Sequence, residues 1–295
     1  MFTNSYKNKK VLVTGHTGFK GSWLTTWLIK LGANVIGVSK DIPTNPSVFK
    51  ELNLKEKVTH YHVDIRNLSK ITEIISSEKP DFLFHLAAQP IVSTSYIEPI
   101  ETITSNVIGT TNVLDALKQI NHKCSAILIT SDKAYDNVEQ IWGYIEDDQM
   151  GGKDIYSGSK GAAELIIKSY FHSFFNKPDC NVKIAVGRAG NVIGGGDWSK
   201  DRIVADCMRA WSKNEPVEIR NPNSTRPWQH VLEPLSGYLN LGQRLNKDND
   251  LNGECFNFGP KSEQNYTVEN ILLELSKYWE FNNPYDSFIV KNNST

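Results

Sequence analysis

Short β-branched runs alternate with longer amphipathic stretches through about the first 190 residues, and this rhythm constrains the fold more than any other feature of the chain. Val11–Thr14, Val35–Val38, Val58–Val63, Phe82–Leu86, Ala126–Thr130 and Val182–Val186 read as six strands, several of them apolar almost throughout. Strands apolar on both faces are buried on both faces, as in a parallel sheet covered by helices. Between them the spacing turns helical, as in Trp23, Trp27 and Leu28 or in Ile103, Val107, Thr110 and Leu114. Strand and helix in strict alternation predict an α/β protein with helices on both faces of a parallel sheet. Near residue 187 the rhythm stops. Gly194–Gly196, Asn221–Asn223 and Arg226–Pro227 are loop chemistry. Helices are expected again at Arg202–Ser212, Val231–Leu245 and Val268–Trp279, with Cys255–Phe258 returning to the sheet. The organisation read from this is a dinucleotide-binding domain over 1–187, with returning segments near 229–259. A smaller, discontinuous substrate region covers 188–228 and 260–295, ending in a polar, frayed tail at Lys291–Thr295.

Composition narrows the partners. With 32 Lys+Arg against 33 Asp+Glu the net charge is −1, which removes the electrostatic case for nucleic acid or an anionic membrane. No apolar run reaches the roughly 20 residues needed to span a bilayer, and Met1–Lys10 lacks a signal-peptide core. A soluble, cytoplasmic protein is expected. Cys124, Cys180, Cys207 and Cys255 form no CxxC pair, and His60 and His62 alternate on a strand without further ligands, so no metal site is expected.

Directly after the first strand comes Gly15-His16-Thr17-Gly18-Phe19-Lys20-Gly21, a GxxGxxG turn leading into a helix. Glycines there let the backbone turn tightly and approach a pyrophosphate, whose charge is met by helix N-terminal amides. A doubly wound Rossmann-type sheet binding a dinucleotide follows, with Gly15, Thr17, Gly18, Phe19 and Gly21 as cofactor contacts. The choice between NAD and NADP is open at the second strand, where Ser39-Lys40 precedes Asp41. Asp64 with Ile65 ends the third strand and reads equally as an adenine contact and as a helix N-cap. Leu86, Ala87, Ala88 and Gln89 end the fourth strand, at the sheet edge where such folds bind ligands. Asn106 is a further cofactor-side candidate.

Tyr156 and Lys160 form a YxxxK pair, which on a helix places both side chains on one face, a turn apart. An ammonium beside a phenol favours the phenolate, so Tyr156 is expected to serve as a base below its ordinary pKa of roughly 10. Thr130-Ser131 stands at the end of the fifth strand, and Asp132-Lys133 follows at once.

With these motifs the chain resembles the extended short-chain dehydrogenase/reductases and, among them, the sugar-nucleotide 4,6-dehydratases. Within that group Asp132-Lys133, Gly151–Tyr156, Arg188–Trp198 and Arg220–His230 are similar to the branch acting on CDP-glucose. The resemblance implies NAD as cofactor, CDP-glucose as substrate and a homodimer joined through helices near Ile100–Ile120 and Tyr156–Phe175. It also implies roles: Ser131, Tyr156 and Lys160 in proton relay, Lys133 as the base at C5 and Asp132 as the acid at C6. Asn191, Arg202 and Arg226 are implied in holding the substrate; each arginine also reads as a solvated surface residue, for Arg202 almost as readily. Trp198 reads as pocket floor or packing, Trp228 as packing, and His230 as a hydrogen-bonded structural residue. Ala134 and Ile155 depart from the family pattern of Cys and Pro. The chain also ends at Thr295, short of the family's usual length, so part of the substrate region is expected to be missing.

Overall fold

The computed structural model describes Phe2 and residues 4–291. Six strands, β1 (Lys10–Thr14), β2 (Asn34–Ser39), β3 (Thr59–His62), β4 (Phe82–His85), β5 (Cys124–Ile129) and β6 (Val182–Ala189), join an edge strand Cys255–Phe258 in one sheet. The order is Cys255–Phe258, β6, β5, β4, β1, β2, β3, and every pairing is parallel. The chain crosses from β3 back past β1 to β4, so the connections diverge at the carboxyl ends of β1 and β4, where Thr14 is in register with His85. That divergence opens the ligand crevice of a doubly wound fold.

Alternation along each strand feeds two cores. Leu12, Ile36, Leu83, Ala126 and Ile184 meet the helices Leu68–Glu78, Gly109–Lys118 and Ile155–Tyr170 on one face. Val11, Val13, Phe82, Phe84 and Ile127 meet the helices Phe19–Lys30 and Leu232–Leu245 on the other. A third, separate cluster of Cys207, Trp211, Val217, Ile219 and Leu272 holds the C-terminal third together. There Trp211 Nε1 donates to the Ser287 carbonyl at 2.8 Å.

The expected strands are all present, with ends shifted by one to three residues, as are the helices, now bounded at Ile203–Trp211, Leu232–Leu245 and Val268–Ser276. The stretch read as loop contains more order than expected. Val192–Ile193 pairs with Gln229–His230, Thr225–Arg226 with Tyr266–Thr267, and Val217–Ile219 with Phe288–Val290. Segments of two or three residues are too short to carry a period-2 signal. Most of the tail expected to fray lies outside the described residues. Among the described residues no helix is long and apolar enough to cross a membrane, and no group of three or more His, Cys, Asp or Glu could hold a metal.

Candidate active site

The glycine turn is held open by its backbone. Gly15 has φ +73°, and a Cβ there would sit 2.8 Å from the Ala87 backbone, so a side chain is excluded both by conformation and by space. The helix Phe19–Lys30 begins at Gly18 with no side-chain cap and no acidic residue in its first turn. Its leading amides therefore point into the crevice as an anion site. Opposite, Ala87 N donates to Thr14 Oγ1 at 3.2 Å, and Thr14 Oγ1 also bonds His85 Nδ1 at 2.7 Å. Burial and the nearby Lys160 charge push His85 down to about 3.

At the end of β2, Ser39 bonds His16 Nδ1 at 3.0 Å and Thr17 donates to the Asp41 carbonyl at 2.6 Å. His16 lies against Gly37, where a Cβ would come within 2.2 Å of its ring, and bonds His60 at 2.8 Å. Among the described residues the two histidines make a pair without a third ligand. Lys40 is held by Glu101 at 2.8 Å, which occupies the ammonium that a 2′-phosphate would need. Asp64 is not a helix cap: Asn67 caps Leu68–Glu78, while Asp64 accepts from the guanidinium of Arg66 at 2.6 Å. That contact holds its carboxyl below the usual range. Ile65 is buried against Gly109.

Asn106 sits in a π-helical turn, Thr104–Ile108, that turns it inward. Its Oδ1 accepts from Gln89 N at 2.8 Å and its Nδ2 donates to Ser159 Oγ at 2.9 Å. It thus couples the strand-end residues Leu86–Gln89 to the YxxxK helix. That helix, Ile155–Tyr170, starts where Asp154 accepts from Ser157 N at 2.9 Å.

The catalytic candidates converge. Ser131 caps the turn Asp132–Ala134; its hydroxyl donates to Asp132 Oδ1 at 2.9 Å and accepts from Lys133 N at 3.2 Å. Tyr156 and Lys160 are both buried, with Lys160 Nζ 5.9 Å from the Tyr156 ring centre. The expected lowering of the Tyr156 pKa is not met within the chain. Burial pushes it up to about 12, and the pull of Arg202 and of a hydrogen bond with Ser131 offsets this only partly. Burial also acts on Lys160, which it pushes down to about 8. The Lys133 ammonium has no hydrogen-bond partner among the described residues.

Of the substrate candidates, Arg202 reaches the site, since its charge acts on both Tyr156 and Lys20. Asn191 follows Gly190, whose Cβ would meet Asp132 Oδ2 at 3.1 Å. Arg226 is placed on the Thr225–Arg226 pairing and donates to the adjacent Thr225 carbonyl. Trp228 donates to the Tyr266 carbonyl at 3.1 Å, and His230 accepts from Leu232 N at 3.3 Å.

Two features escape sequence reasoning. One is the buried pair of Arg188 on β6 with Glu164 on the YxxxK helix, bonded at 2.8 and 3.0 Å, with Thr130 donating to the same carboxylate at 2.5 Å. It locks the helix carrying Tyr156 and Lys160 to the strand end carrying Ser131. The other is Lys20, whose ammonium donates to Tyr238 at 3.2 Å.

Residues 12–272 match the family model described as GDP-mannose 4,6 dehydratase. The chain belongs to this family. The CDP-glucose 4,6-dehydratase of Salmonella typhimurium is 49% identical over 279 residues, covering 94% of this chain and 78% of that protein. The CDP-paratose 2-epimerase of Salmonella typhi is 29% identical, covering 92% and 83%. The fold matches an epimerase from Methanothermobacter thermautotrophicus with a TM-score of 0.83 at 23% identity, covering 98% and 82% of the two chains. It also matches a Streptomyces venezuelae dTDP-glucose 4,6-dehydratase, solved with NAD bound, with a TM-score of 0.80 at 18% identity, covering 96% and 84%.

Proposed function

We propose that the protein is an NAD-dependent CDP-glucose 4,6-dehydratase, a hydro-lyase giving CDP-4-keto-6-deoxyglucose and water. The observation that carries the reading is Asp132-Lys133 at the strand end, with Asp132 hydrogen-bonded to Ser131 in the same turn. Oxidation or epimerisation at C4 uses Ser131, Tyr156 and Lys160 alone; loss of water across C5 and C6 needs a base and an acid more. The residues fit a dinucleotide: the uncapped helix start receives the pyrophosphate, Gly15 and Ala87 permit close approach, and Asp64 lies on the adenosine side. NAD, when bound, supplies the acceptor of the C4 hydride and its donor back to C6.

Tyr156 takes the proton of the 4-hydroxyl as C4 is oxidised to the ketone; its phenolate, disfavoured by burial in the chain alone, would be favoured by the positive charge of bound NAD together with Arg202. Lys133, neutral, removes the C5 proton acidified by that ketone, and Asp132 protonates the departing C6 oxygen. The hydride returns to C6 and Lys133 returns a proton to C5. Asn191, Arg202 and Arg226 hold the nucleotide diphosphate, Arg202 nearest the reacting groups. The region 188–228 with 260–291 forms the substrate side. Incubation with CDP-glucose and catalytic NAD tests the reading by mass spectrometry. Loss of one water without net NADH supports it; unchanged CDP-glucose beside turnover of dTDP-, GDP- or UDP-sugars assigns another nucleobase. An epimerase or reductase of the same superfamily, the second reading, leaves the water in place.

We also propose a homodimer. Tyr96, Ile97, Ile100, Ile103 and Ile108 are exposed on the helical run before Gly109, and Leu165 is exposed on the YxxxK helix. The two elements pack side by side, so these side chains form one apolar face suited to a second copy. Light scattering should give a dimer that Ile100→Glu converts to a monomer; a wild-type monomer refutes the assembly.

A further inference from the structure

A dinucleotide fold that selects NAD places a carboxylate at the end of its second strand, where it holds the ribose 2′-hydroxyl and repels a 2′-phosphate. This chain has Ser39-Lys40 there instead, a hydroxyl and an ammonium. The position is fixed against the glycine turn: Gly15 N donates to the Val38 carbonyl at 2.8 Å and Thr17 Oγ1 to the Asp41 carbonyl at 2.6 Å. Arg66, beyond the end of β3, is a second cation on this side. An ammonium and a guanidinium together are the donors of a phosphate site. The missing carboxylate comes from another element. Glu101, in the short helix Pro99–Ile103, reaches both cations: Oε1 accepts from Lys40 Nζ at 2.8 Å and Oε2 from the Arg66 guanidinium. Ser105 Oγ adds a donor at 3.4 Å. Lys40, and after it Arg66, hold the Glu101 carboxyl below the usual range. With Asp64 on the other side of the guanidinium, two cations are balanced by two carboxylates. Lys40 is 46% exposed and Glu101 26%; an ion pair so open to water adds little to stability, which leaves its charge free to act on a ligand.

Resting on the dehydratase reading above, we propose that Glu101 is the residue that makes the site reject NADP: it occupies Lys40 and Arg66 and sets a negative charge beside the place of a 2′-phosphate. The two dinucleotides are identical except at that phosphate, so a charge acting through it moves one affinity and spares the other. Glu101 thus does from a helix the work that the end of β2 leaves undone, and its removal turns Lys40 and Arg66 into phosphate ligands.

Calorimetric titration of dinucleotide-free protein with NAD+ and NADP+ separately tests this on wild type, on Glu101→Gln and on Glu101→Gln combined with Lys40→Met, at one pH and low salt. Wild type is expected to bind NAD+ the tighter. Glu101→Gln should bind NADP+ about ten-fold tighter than wild type does and NAD+ within about two-fold. Adding Lys40→Met should take most of that gain away, since the freed ammonium supplies it. An unmoved NADP+ affinity in Glu101→Gln overturns the proposal, as does a gain that survives the loss of Lys40. A fall in both affinities together, the mark of a purely structural role, overturns it too. Glu101→Ala carries the same expectation should the glutamine variant not fold. Wild-type protein that binds neither dinucleotide would refute the dehydratase reading, a result distinct from an unmoved NADP+ affinity.

Discussion

Replacing Arg188 by methionine removes the cation that holds the two halves of the active site together. Its guanidinium forks onto Glu164 at 2.8 and 3.0 Å and also donates to the Tyr135 hydroxyl at 2.7 Å and the Glu146 carbonyl at 2.9 Å. Both charged side chains are only 4% exposed. In the variant the Glu164 carboxylate stays buried with the Thr130 hydroxyl and a 4.0 Å contact from the Cys255 thiol. Breaking such a pair from one side costs about 3–5 kcal/mol, because the surviving charge has lost its compensation. At about 2–4 °C per kcal/mol for chains of a few hundred residues, Tm should fall by roughly 6–20 °C. Urea unfolding followed by circular dichroism measures the free energy. Adding Glu164→Gln removes the stranded charge and should recover about half of the loss. A single variant within about 1 kcal/mol of wild type would show that the pair does not organise this region.

Lys133→Ala should still oxidise C4 yet release no water, so the reduced dinucleotide accumulates and is read by absorbance near the NADH maximum. Full dehydration by that variant would remove Lys133 from its role at C5. The Lys160 ammonium, pushed down from 10.5 to about 8, makes a pH prediction. Below about pH 8 both the folded and unfolded chains hold this proton; between about 8 and 10.5 the unfolded chain still holds it and the folded chain does not, so stability rises with pH. Wild type should therefore gain on the order of 2 kcal/mol relative to Lys160→Met across that window, and a flat difference in denaturant titrations would contradict the burial argument.

What could be read from the sequence followed the range of the interactions. The sheet was legible because each strand, such as Val11–Thr14 in β1 or Phe82–His85 in β4, is a local apolar run and every crossover is a local helical period. The candidate reacting residues could be singled out because Ser131-Asp132-Lys133 and Tyr156–Lys160 are short local motifs. Lys20 with Tyr238, 218 residues apart, and Arg188 with Glu164, 24 apart on different elements, announce themselves only once the sheet has closed. The lowered pKa expected of Tyr156 was not met for a related reason. The motif shows the ammonium beside the phenol, whereas the burial that raises its pKa is a property of the whole crevice. The short pairings around Val217–Ile219 and Thr225–Arg226 lie below the length at which a pattern can be seen.

The central claim is an internal transfer of hydride from C4 to C6, and it is tested most directly by supplying CDP-glucose carrying deuterium at C4. The account predicts that the deuterium appears in the C6 methyl group of the keto product, with catalytic NAD unlabelled at the end. Deuterium still at C4 would mean epimerisation, and deuterium left in the dinucleotide pool would mean a simple dehydrogenase; either result contradicts the account.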